Sequence, residues 1–559
     1  MHSRIKVDRE QLQQALEPFL RGCRTAAERI SAVRSALEGE SARHWRRELA
    51  RWTLRVVPVE LLVPEVYHRW RPVVCEAMQF VVLRLSAARL APKVVEQMTL
   101  APDTPPQTRL LRFIAKVPAL QKLGQVLARN RHLDPSVRRA LTQLENGISD
   151  VSSDEIRSLI RRELGPQLGT FEAELDPAIL SEASVSAVVR FRWRNPETRR
   201  RERGVFKVLK PYAPGCYAED MKILQQLATH LARKPSADGI RMTGVADTLT
   251  EIRLLLEHEV DFRREQTTLL KALRLYRSVP GIRVPHVIQQ LSTDSITALS
   301  DEQGMKVTDA QAYAGRNRRR VAERLAEALV AVPALARDRD AVFHADPHAG
   351  NVLFDRRRNE LVILDWALTE RLNREQRKNV LMLVLMMLLR DSSGMMKAVE
   401  KLCAGARDRD GARTRIIRDH VNRCLDRLPL MRLPDPMEAM RLLDGIALEG
   451  VRFPAALLVF RKACFTLDGV LEDVAGSSVR LDSVIARYAA AHPLETAATL
   501  ASLLTTRDWL SLNWSAATMA ARVSARAALR PWSWLPGILP PLTNSGQGGP
   551  PVDVSTVTA

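Results

Sequence analysis

The chain has 559 residues, and its 84 basic and 64 acidic residues give a formal net charge of +20. A composition of 46% hydrophobic and 26% charged residues is typical of a folded globular protein and excludes a chain that is disordered throughout, and the length predicts more than one structural unit. The charge favours anionic lipid, nucleic acid or acidic proteins without choosing among them. Because arginine is not concentrated with aromatic residues, no specific nucleic-acid partner is predicted.

The N-terminal region, residues 1–115, is predicted to be helical, with breaks near Pro58, Pro64 and Pro105-Pro106. Helix is expected to continue beyond it. The first eight residues lack the apolar core of a secretion signal, and the six cysteines are dispersed without metal-ligand spacing. Reduced thiols and a cytoplasmic location are therefore expected.

A β-hairpin is predicted from the segments Val185–Trp193 and Gly204–Pro211, which a charged turn separates. Alternation places Lys207 on the face opposite Phe206. A lysine flanked by apolar residues in a strand is suited to hold nucleotide phosphates. The alternative is a surface lysine whose stem covers apolar groups. Lys210, at the strand end, is expected to be solvated.

The loop Ser181–Ala187 enters this hairpin, at the place where a glycine-rich loop would cradle phosphates, but it contains no glycine. We expect Ala183, Ser184 and Val185 to contact the nucleotide, because backbone N–H groups can meet phosphate without glycine. An acidic Glu182 nearby would weaken that attraction unless it points outward.

The segment Glu251–Leu275 has recurrent leucines and alternating charge, a pattern that predicts one long amphipathic helix. Asp261 and Glu265 lie four residues apart and would share a helix face. The alternative is an ordinary solvated acidic face, with Arg263 and Arg264 as local partners.

Two short strands are predicted after this helix, at Val284–Ile288 and Ser295–Leu299. Pro285 would confine the first to a sheet edge or a strand start. The following segment, Ala298–Glu302, is predicted to be the hinge between two lobes. The backbone of this hinge would bind adenine, with the contact expected at Asp301.

A phosphoryl-transfer centre is predicted from an acid and an amide five residues apart, Asp346 and Asn351. The apolar runs Val352–Phe354 and Leu361–Leu364 flank a polar turn and predict a second hairpin. An antiparallel hairpin returns its far end beside its start, so Asp365 would lie next to Asn351. Two such oxygen ligands suit Mg²⁺ with bound phosphates.

Plainer interpretations exist for each of these residues taken alone. Asp346, beside His and Pro, would be a turn residue, and Asp365, after an apolar strand, would be a helix cap. Their kinase-like order and spacing favour function. His344 and His348 share the loop, and we expect them to support Asp346 rather than bind zinc.

After Asp365 the chain is predicted to be helical. The apolar stretch Val380–Leu389 is too short to cross a bilayer and is expected to be a buried helix. Further helices are expected over residues 411–490, and residues 547–559 are expected to form a mobile tail. No uninterrupted apolar run of about eighteen residues occurs, so no transmembrane helix is predicted.

A tryptophan and arginine cluster near the C-terminus suits a membrane interface. The alternative is a helix that packs on the main body. With either interpretation, peripheral contact with the inner membrane is the most that we expect. The cluster comprises Trp509, Trp514, Trp532, Trp534, Arg522, Arg526 and Arg530.

The catalytic segment Phe343–Asn351, which is FHADPHAGN, resembles the F-x-A-D-P-H-P-G-N loop of the UbiB-like atypical kinases, also called the AarF or ADCK family. The triplet that begins at Asp365 stands where the family has D-F-G. Departures occur at Ala349, Trp366 and Ala367, and the last of these restricts the backbone at a flexible position. The resemblance covers roughly residues 105–400 of the sequence.

The resemblance implies an α+β, two-lobed protein-kinase-like fold that is predominantly helical, with a helical N-terminal extension and a helical C-terminal region. ATP and Mg²⁺ are the implied cofactors. Lys207 would hold phosphates and pair with Glu265, Asp346 would orient the attacking oxygen, and Asn351 and Asp365 would bind magnesium. The predicted units are residues 1–115, 116–175 with the family-specific helix, 176–302 for the small lobe, 303–490 for the large lobe and 491–559.

A second basic motif strengthens the resemblance. Lys122-Leu123-Gly124-Gln125 matches the family's K-x-G-Q signature, and by resemblance Lys122 and Gln125 lie on an extension over the active site. Glu259 and Asp261, in a segment that resembles E-x-D-F-x-x-E, would meet that motif. Together these four residues are the implied regulatory set.

The implied function is that of an ATP-binding atypical kinase or ATPase that supports isoprenoid-quinone biosynthesis, ubiquinone in particular, or related membrane-lipid metabolism. Nucleotide, an anionic membrane surface, and prenyl-quinone intermediates or biosynthetic proteins are the expected partners. Two alternatives stay open: a pseudokinase scaffold that binds nucleotide without turnover, and a small-molecule phosphotransferase. The Lys122–Gln125 motif argues against the second.

Overall fold

The computed structural model describes residues 20–101, 103–121, 151–234, 249, 253, 256–309, 313, 317–336, 342–404, 411–428, 435–476 and 479–529. The Lys122–Gln125 motif, Trp532, Trp534, Arg530 and the predicted tail lie outside these residues. The side chains of Arg522 and Arg526 do as well.

The N-terminal region is helical, as predicted. Pro58, Pro64 and Pro105 each occupy the cap position before a helical segment, where a missing N–H costs no intrahelical bond. The segments are α1 (Ala26–Glu38), α2 (Ala42–Val56), α3 (Val59–Leu62), a 3₁₀ turn (Glu65–Trp70), α4 (Arg71–Arg84), α5 (Ala87–Thr99) and α6 (Pro106–Ile114).

One hydrophobic core joins these helices to α8 (Ala213–Ala232), which follows the strand that carries Lys207. A buried ion pair reinforces the contact, because the Nη1 of Arg89 lies 2.6 Å from the Oδ1 of Asp220. The other carboxylate oxygen of Asp220 accepts from the N–H of Ala119 at 2.9 Å. The N-terminal helices are therefore fixed to the lobe that carries Lys207.

The small lobe contains a four-stranded antiparallel sheet in the order β1-β2-β3-β5. Helix α7 (Ser153–Thr170) packs on it and begins at a capping box formed by Ser152 and Glu155. The strands are β1 (Glu174–Glu182), β2 (Ser186–Arg194), β3 (Arg201–Leu209) and β5 (Ile296–Ser300).

The predicted hairpin of this lobe is confirmed as β2 and β3, which pair from Ser186 with Leu209 to Arg194 with Arg201. The predicted strand at Ser295–Leu299 is confirmed as β5. The hairpin is not the start of the sheet, however, because β1 precedes it and pairs with β2. The helical segment expected to reach residue 175 ends earlier, at Thr170.

Alternation along β3 separates the lobe core from the cleft. Phe206 and Val208 are fully buried, and the ring of Phe206 stacks on Phe191 with 3.9 Å between centroids. Lys207 points to the other face. Gly204 lies opposite Phe191 across the strands, where a Cβ would come 2.4 Å from the Phe191 ring.

The predicted single helix over Glu251–Leu275 is wrong at its centre. Residues 256–260 are helical, but the helix breaks at Asp261, whose side chain accepts from the N–H of Arg264 and caps α9 (Phe262–Tyr276). Asp261 therefore lies outside the helix that carries Glu265 and does not share its face. A short polar side chain at this position competes for backbone N–H groups and starts a new helix.

The large lobe contains two small sheets, β4-β9-β8-β6 and β10-β7, beneath a helical body. The second predicted hairpin is confirmed as β8 and β9. The strand predicted at Val284–Ile288 is wrong, since the paired residues are those of β4, and Val287 forms only an isolated bridge with Leu299. The strands are β4 (Ile282–Arg283), β6 (Met305–Lys306), β7 (Val342–His344), β8 (Val352–Asp355), β9 (Glu360–Ile363) and β10 (Thr369–Arg371).

Helices form the rest of the large lobe and surround one hydrophobic core. The apolar stretch predicted to be a buried helix lies in α12, where Leu383 and Met386 are buried. The helices are α10 (Arg318–Ala326), a π turn (Glu327–Ala331), α11 (Val332–Leu335), α12 (Arg374–Leu388), α13 (Ser392–Leu402), α14 (Ala412–Arg427), α15 (Pro436–Leu448), α16 (Ala455–Ala475), α17 (Leu481–Ala491), α18 (Pro493–Leu503) and α19 (Thr506–Leu529).

Helix α19 packs on the large lobe through one face. Ser515 is buried and its hydroxyl donates to Asp391 at 2.6 Å, whereas Trp509, Leu510 and Trp514 are exposed on the outer face. Among the residues that the structure describes, none of the helices combines the length and the apolarity that crossing a bilayer requires.

Candidate functional site

Lys207 of β3 lies between two carboxylates in the cleft between the lobes. Its Nζ is 2.7 Å from the Oε1 of Glu265 on α9 and 2.9 Å from the Oδ1 of Asp365 in the large lobe. The Lys207 side chain is only 13% exposed, so it is not a snorkelling surface lysine. The pairing of Lys207 with Glu265 that the sequence led us to expect is present.

Lys207, Glu265 and Asp365 form a triad in which the pKa of each group depends on the charge of at least one of the others. Burial by itself would lower the pKa of Lys207, but the carboxylates of Asp365 and Glu265 outweigh burial and raise the pKa. Burial acts to raise the pKa of Asp365, yet Lys207 holds that pKa well below its usual range. Burial raises the pKa of Glu265, and the Asp365 charge raises it further while Lys207 acts to lower it. At neutral pH, Lys207 is therefore cationic and Asp365 is ionised.

The second hairpin brings Asn351 and Asp365 together, as predicted. Val352 of β8 pairs with Ile363 of β9, and the N–H of Leu364 donates to the carbonyl of Asn351 at 2.8 Å. The side-chain amide of Asn351 donates to the carbonyl of Asp346 at 3.2 Å. Because the Nδ2 of Asn351 is used in this way, its Oδ1 is the atom left to act as an acceptor or a metal ligand.

His344 fixes the loop that carries Asp346. Its Nδ1 accepts from the N–H of Asp346 at 3.3 Å, so its Nε2 carries the hydrogen and donates to the carbonyl of Leu364 at 2.9 Å. Burial lowers the pKa of His344 despite the opposing effect of the Leu364 carbonyl and the nearby carboxylates. A neutral imidazole therefore links Asp346 to the segment that ends at Asp365.

His348 also supports this loop. Its Nδ1 accepts from the N–H of Gly350 at 3.0 Å, and its Nε2 lies 4.0 Å from the Oδ2 of Asp346. The expectation that the two histidines are structural agrees with these contacts.

The residues after Asp365 depart from the family pattern, and the structure accommodates both changes. Trp366 is fully buried, its indole N–H donates to the carbonyl of Ile363 at 3.0 Å, and its ring packs edge-on against His344. Asp365 itself has a positive φ of 52°, a conformation that Asp tolerates better than most residues. Positive φ is absent at Ala367, so the alanine is unstrained there.

The glycine-free loop between β1 and β2 is tied to the protein by its own backbone. The N–H of Ala183 donates to the carbonyl of Ser186, and the carbonyl of Val185 accepts from the N–H of Lys210. Ser184 and Val185 are buried. The amide of Ala183 is thus used inside the turn, and its predicted contact with nucleotide through that amide finds no support.

Glu182 and Lys210 correct a further prediction. Lys210 is not solvated at the strand end but completely buried, and its Nζ lies 2.9 Å from the Oε2 of Glu182, whose side chain is 6% exposed. The lysine therefore neutralises the acidic residue beside the loop. The sequence contains a pair of opposite charges at the ends of β1 and β3. Both strands pair with β2, and this strand order brings the two charges to the same end of the sheet.

Ser184 connects the loop to the segment that precedes α9. Its hydroxyl donates to the Oε2 of Glu259 at 3.1 Å, and its carbonyl accepts from the Tyr212 hydroxyl at 3.3 Å. The side-chain amide of Gln121 donates to the same carbonyl at 3.1 Å when it is oriented so that its oxygen accepts from the N–H of Lys116. Neither Gln121 nor Tyr212 belongs to a recognisable sequence motif, so the contacts of both residues were not predicted.

The regulatory set is described only in part. Lys122 and Gln125 lie outside the described residues, but the neighbouring residue Gln121 is buried against the Ser184 loop. Glu259 contacts that loop, while Asp261 caps α9. The predicted contacts of Glu259 and Asp261 with the basic motif stay predictions.

Asp301 lies where a hinge was predicted, between β5 of the small lobe and β6 of the large lobe. Its N–H donates to the carbonyl of Arg203 at 3.3 Å, and its carboxylate faces Arg190 at 3.5 Å. The position of the hinge agrees with the prediction. Its contact with adenine stays a prediction, and the Asp301 N–H is already used by the sheet.

The sequence matches the ABC1 atypical kinase-like domain over residues 143–399, which contain Lys207, Glu265, Asp346, Asn351 and Asp365. The central part of the chain, residues 143–399, therefore belongs to the ABC1 and UbiB family of atypical kinase-like domains. Its two-lobed, predominantly helical α+β architecture confirms the predicted fold class. Membership explains why one cleft gathers residues from β3, α9 and the second hairpin.

Several curated members of the ABC1 and UbiB family are similar to this chain. "Protein ACTIVITY OF BC1 COMPLEX KINASE 7, chloroplastic" of Arabidopsis thaliana is 26% identical over 361 residues, or 63% of this chain and 50% of that protein. "Probable protein kinase UbiB" of Xanthomonas campestris is 30% identical over 267 residues, 46% of this chain and 47% of that protein. Its namesake in Marinobacter nauticus is 27% identical over 43% of this chain and 42% of that protein.

The aligned part of this chain thus spans about half the length of these curated relatives. Among solved structures, a chain from the complex of Rv3197 with erythromycin from Mycobacterium tuberculosis has a TM-score of 0.43 and 18% identity, with 65% of this chain and 89% of that chain covered. A similarity of that size adds nothing to the assignment.

Proposed function

We propose that the cleft around Lys207 binds ATP with Mg²⁺ and catalyses phosphoryl transfer or ATP hydrolysis. The observation that carries the proposal is the position of the Lys207 ammonium, within 3 Å of both Glu265 and Asp365. A cation held between two lobes by buried and half-exposed carboxylates is suited to receive nucleotide phosphates.

Glu265 is the positioning residue of the triad. Its side chain is 1% exposed, and its Oε1 fixes the Lys207 ammonium from the small lobe. The Oε2 of Glu265 has no hydrogen-bond partner among the described residues. Phosphate oxygens near Lys207 would add acceptors to the ammonium without requiring Glu265 to move.

The chemistry of the donor set fits magnesium. Asp365 is ionised and its side chain is 46% exposed, and the amide of Asn351 is oriented by Asp346 so that its oxygen is available. Hard oxygen ligands in this small number suit Mg²⁺, which keeps several water or phosphate ligands. When bound, the ion would neutralise charge on the β- and γ-phosphates, and Asn351 and Asp365 would hold it.

Asp346 would orient the oxygen that attacks the γ-phosphate and accept its proton. The backbone around this residue is fixed by the neutral ring of His344 and by the Asn351 amide. A fixed carboxylate is what this chemistry requires, because positioning and charge compensation supply most of the rate acceleration.

The test is Mg²⁺-dependent ATP turnover by the purified chain. Asp365→Asn removes a negative metal ligand and should lower turnover by about 100-fold or more. Asp426→Asn is the matched control, since Asp426 is an exposed residue of α14 outside the cleft. Nucleotide binding without turnover above background in the unchanged protein would instead support the pseudokinase scaffold.

The identity of the phosphoryl acceptor would test the remaining alternative, a small-molecule phosphotransferase. Turnover that rises with phenolic prenyl-quinone precursors supports a role in isoprenoid-quinone biosynthesis. Turnover that rises only with a small soluble alcohol or amine supports a small-molecule phosphotransferase. For the cellular role, deletion should lower the quinone content, and unchanged quinone without a redundant homologue would contradict it.

Helix α19 supports peripheral contact with an anionic membrane. Trp514 is 77% exposed, Leu510 65% and Trp509 42%, and all three lie away from the buried Ser515. Aromatic and aliphatic side chains on one face of a helix, in a protein of net charge +20, suit an anionic lipid interface. The double variant Trp509→Ala/Trp514→Ala should lose co-sedimentation with anionic phosphatidylglycerol vesicles, and undiminished binding would contradict this part.

A further inference from the structure

A cavity of about 260 Å³ lies beside the cleft and is lined by residues of α9, β7 and β10. One wall is a stripe of α9 with Arg264, Thr268 and Lys271, which recur every three or four residues on one helix face. The opposite wall is formed by Val342 of β7 and the residues of β10. None of these residues takes part in the proposed mechanism.

The cavity is strongly cationic. Arg264 and Lys271 come from α9, and Arg371 comes from β10. One carboxylate, that of Glu370, lies in the same wall and accepts from the N–H of Arg371 at 3.0 Å. Three cations against one carboxylate leave two uncompensated positive charges.

The cations have donors to spare. Arg264 uses one N–H for the carbonyl of Thr369 at 3.3 Å, which leaves the rest of its guanidinium free to donate. Within the described residues, neither Lys271 nor the guanidinium of Arg371 has an ion-pair or hydrogen-bond partner. The hydroxyl of Thr268 donates to the carbonyl of Arg264, so the cations supply the donors.

We propose that this cavity binds a phosphate-class oxyanion, held by Arg264, Lys271 and Arg371. Two uncompensated charges match a phosphate monoester dianion, and guanidinium groups are suited to its oxygens. The volume admits a phosphate group but is below the range of pockets that hold a molecule of nucleotide size. The phosphate group is carried either by a soluble ester or by a lipid headgroup.

An anion here would join the three elements that deliver the cleft residues. Helix α9 carries Glu265, β7 leads into the loop of Asp346, and β10 follows Asp365. Charge-assisted contacts from both walls would hold α9 against β10. The site therefore has the position of an effector site for the cleft, although anion binding itself does not depend on the proposed turnover.

The test is isothermal titration calorimetry, in which inorganic phosphate is titrated into the full chain without nucleotide or magnesium. Lys271→Ala/Arg371→Ala should weaken phosphate binding by about tenfold or more, because each substitution removes a charge-assisted contact. The matched control is Lys397→Ala/Arg418→Ala, which removes the same charge from exposed positions on α13 and α14. This control should bind phosphate as the unchanged chain does.

Hydrogen exchange supplies a second readout. Phosphate should slow amide exchange in α9 and β10 of the unchanged chain and of the control, but not of the Lys271 and Arg371 double variant. For the source of the phosphate group, vesicles with phosphatidic acid are compared with phosphatidylcholine vesicles. If the unchanged chain binds phosphatidic acid vesicles and the Lys271→Ala/Arg371→Ala variant does not, the phosphate group belongs to a lipid headgroup. If the unchanged chain binds inorganic phosphate but not these vesicles, the phosphate group belongs to a soluble ester.

Two results would overturn the proposal. One is the absence of phosphate binding by the unchanged chain at millimolar concentrations. The other is phosphate binding that persists in the Lys271→Ala/Arg371→Ala variant but disappears in Lys207→Met, which would locate the anion in the cleft. Both results are independent of whether the cleft hydrolyses ATP.

Discussion

Lys210 and Glu182 form a buried ion pair beneath the loop that faces the cleft, with 2.9 Å between Nζ and Oε2. Lys210 holds both sides of the turn that contains Ser184, because its Nζ pairs with Glu182 before the turn and its N–H donates to the carbonyl of Val185 at 2.8 Å after it. Neutralisation of Glu182 also removes an isolated negative charge from the region proposed to receive phosphates.

Loss of one partner should be more harmful than loss of both. Lys210→Met leaves the Glu182 carboxylate buried without this cation and should lower the free energy of unfolding by about 3–5 kcal/mol. Lys210→Met/Glu182→Leu should recover most of that loss. Urea unfolding of Lys210→Met, Glu182→Leu and the double variant measures the difference, and additive losses in the double variant would show that the two groups act independently.

Lys207 and Glu265 should behave as a single unit in catalysis. Lys207→Met removes the cation nearest to the proposed phosphates and should lower ATP turnover by about 100-fold or more. Glu265→Gln should lower turnover by a smaller factor through misplacement of Lys207. The double variant should be no slower than Lys207→Met alone.

Lys222→Met is the control for this series, because Lys222 is an exposed residue of α8 in the same lobe. Its turnover should equal that of the unchanged chain. Multiplicative losses in the Lys207 and Glu265 double variant would argue that Glu265 acts on the reaction by a route that does not pass through Lys207.

Local patterns predicted the two hairpins and the residues of the cleft. Alternation in β3 placed Lys207 opposite Phe206, and the short polar turn between β8 and β9 placed Asp365 beside Asn351. Both relationships depend on neighbours within about fifteen residues. The pairing of Lys207 with Glu265 is long-range, and only the resemblance to a family indicated it.

The errors have physical causes in the same segments. Strand β1 alternates poorly, contains Pro177 and is largely exposed, so no period-two pattern revealed it. Asp261 was placed inside a helix because leucine periodicity masked its role as a cap. Lys210 looked solvated since it precedes a proline, and its burial depends on Glu182 from a distant strand.

Gly204 should be irreplaceable in the small lobe. A Cβ at this position would meet the Phe191 ring at 2.4 Å and the carbonyl oxygen of Leu299 at 3.0 Å. Gly204→Ala should therefore lower the free energy of unfolding by about 1–3 kcal/mol through displaced packing. The measurement is the shift of the urea midpoint.

Gly469→Ala is the matched control for that substitution. Gly469 lies in the middle of α16 with open space around its Cβ position, so alanine should stabilise the helix by about 0.5–1 kcal/mol. A stable Gly204→Ala variant with unchanged midpoint would mean that Phe191 can move without loss of its stacking on Phe206.

His344 should make the stability of the large lobe depend on pH in the acid range. Burial lowers the pKa of His344 in the folded chain, and its Nδ1 must stay unprotonated to accept from the N–H of Asp346. In the unfolded chain the pKa of the His344 ring should be about 6.5, the ordinary value for histidine. The unfolded state therefore binds more protons, and the free energy of unfolding falls as pH falls below that value.

The measurement is urea unfolding at pH 7, 6 and 5, with His344→Gln and the exposed-histidine control His286→Gln. Below the unfolded pKa, the unchanged chain should lose up to about 1.4 kcal/mol per pH unit from this group, in addition to losses that all variants share. His344→Gln should be less stable at pH 7 but should lose less on acidification, because glutamine cannot be protonated. His286→Gln should follow the unchanged chain. If His344→Gln and the unchanged chain lose equal stability between pH 7 and pH 5, the imidazole is protonated in the folded protein and the neutral link between Asp346 and Leu364 is wrong.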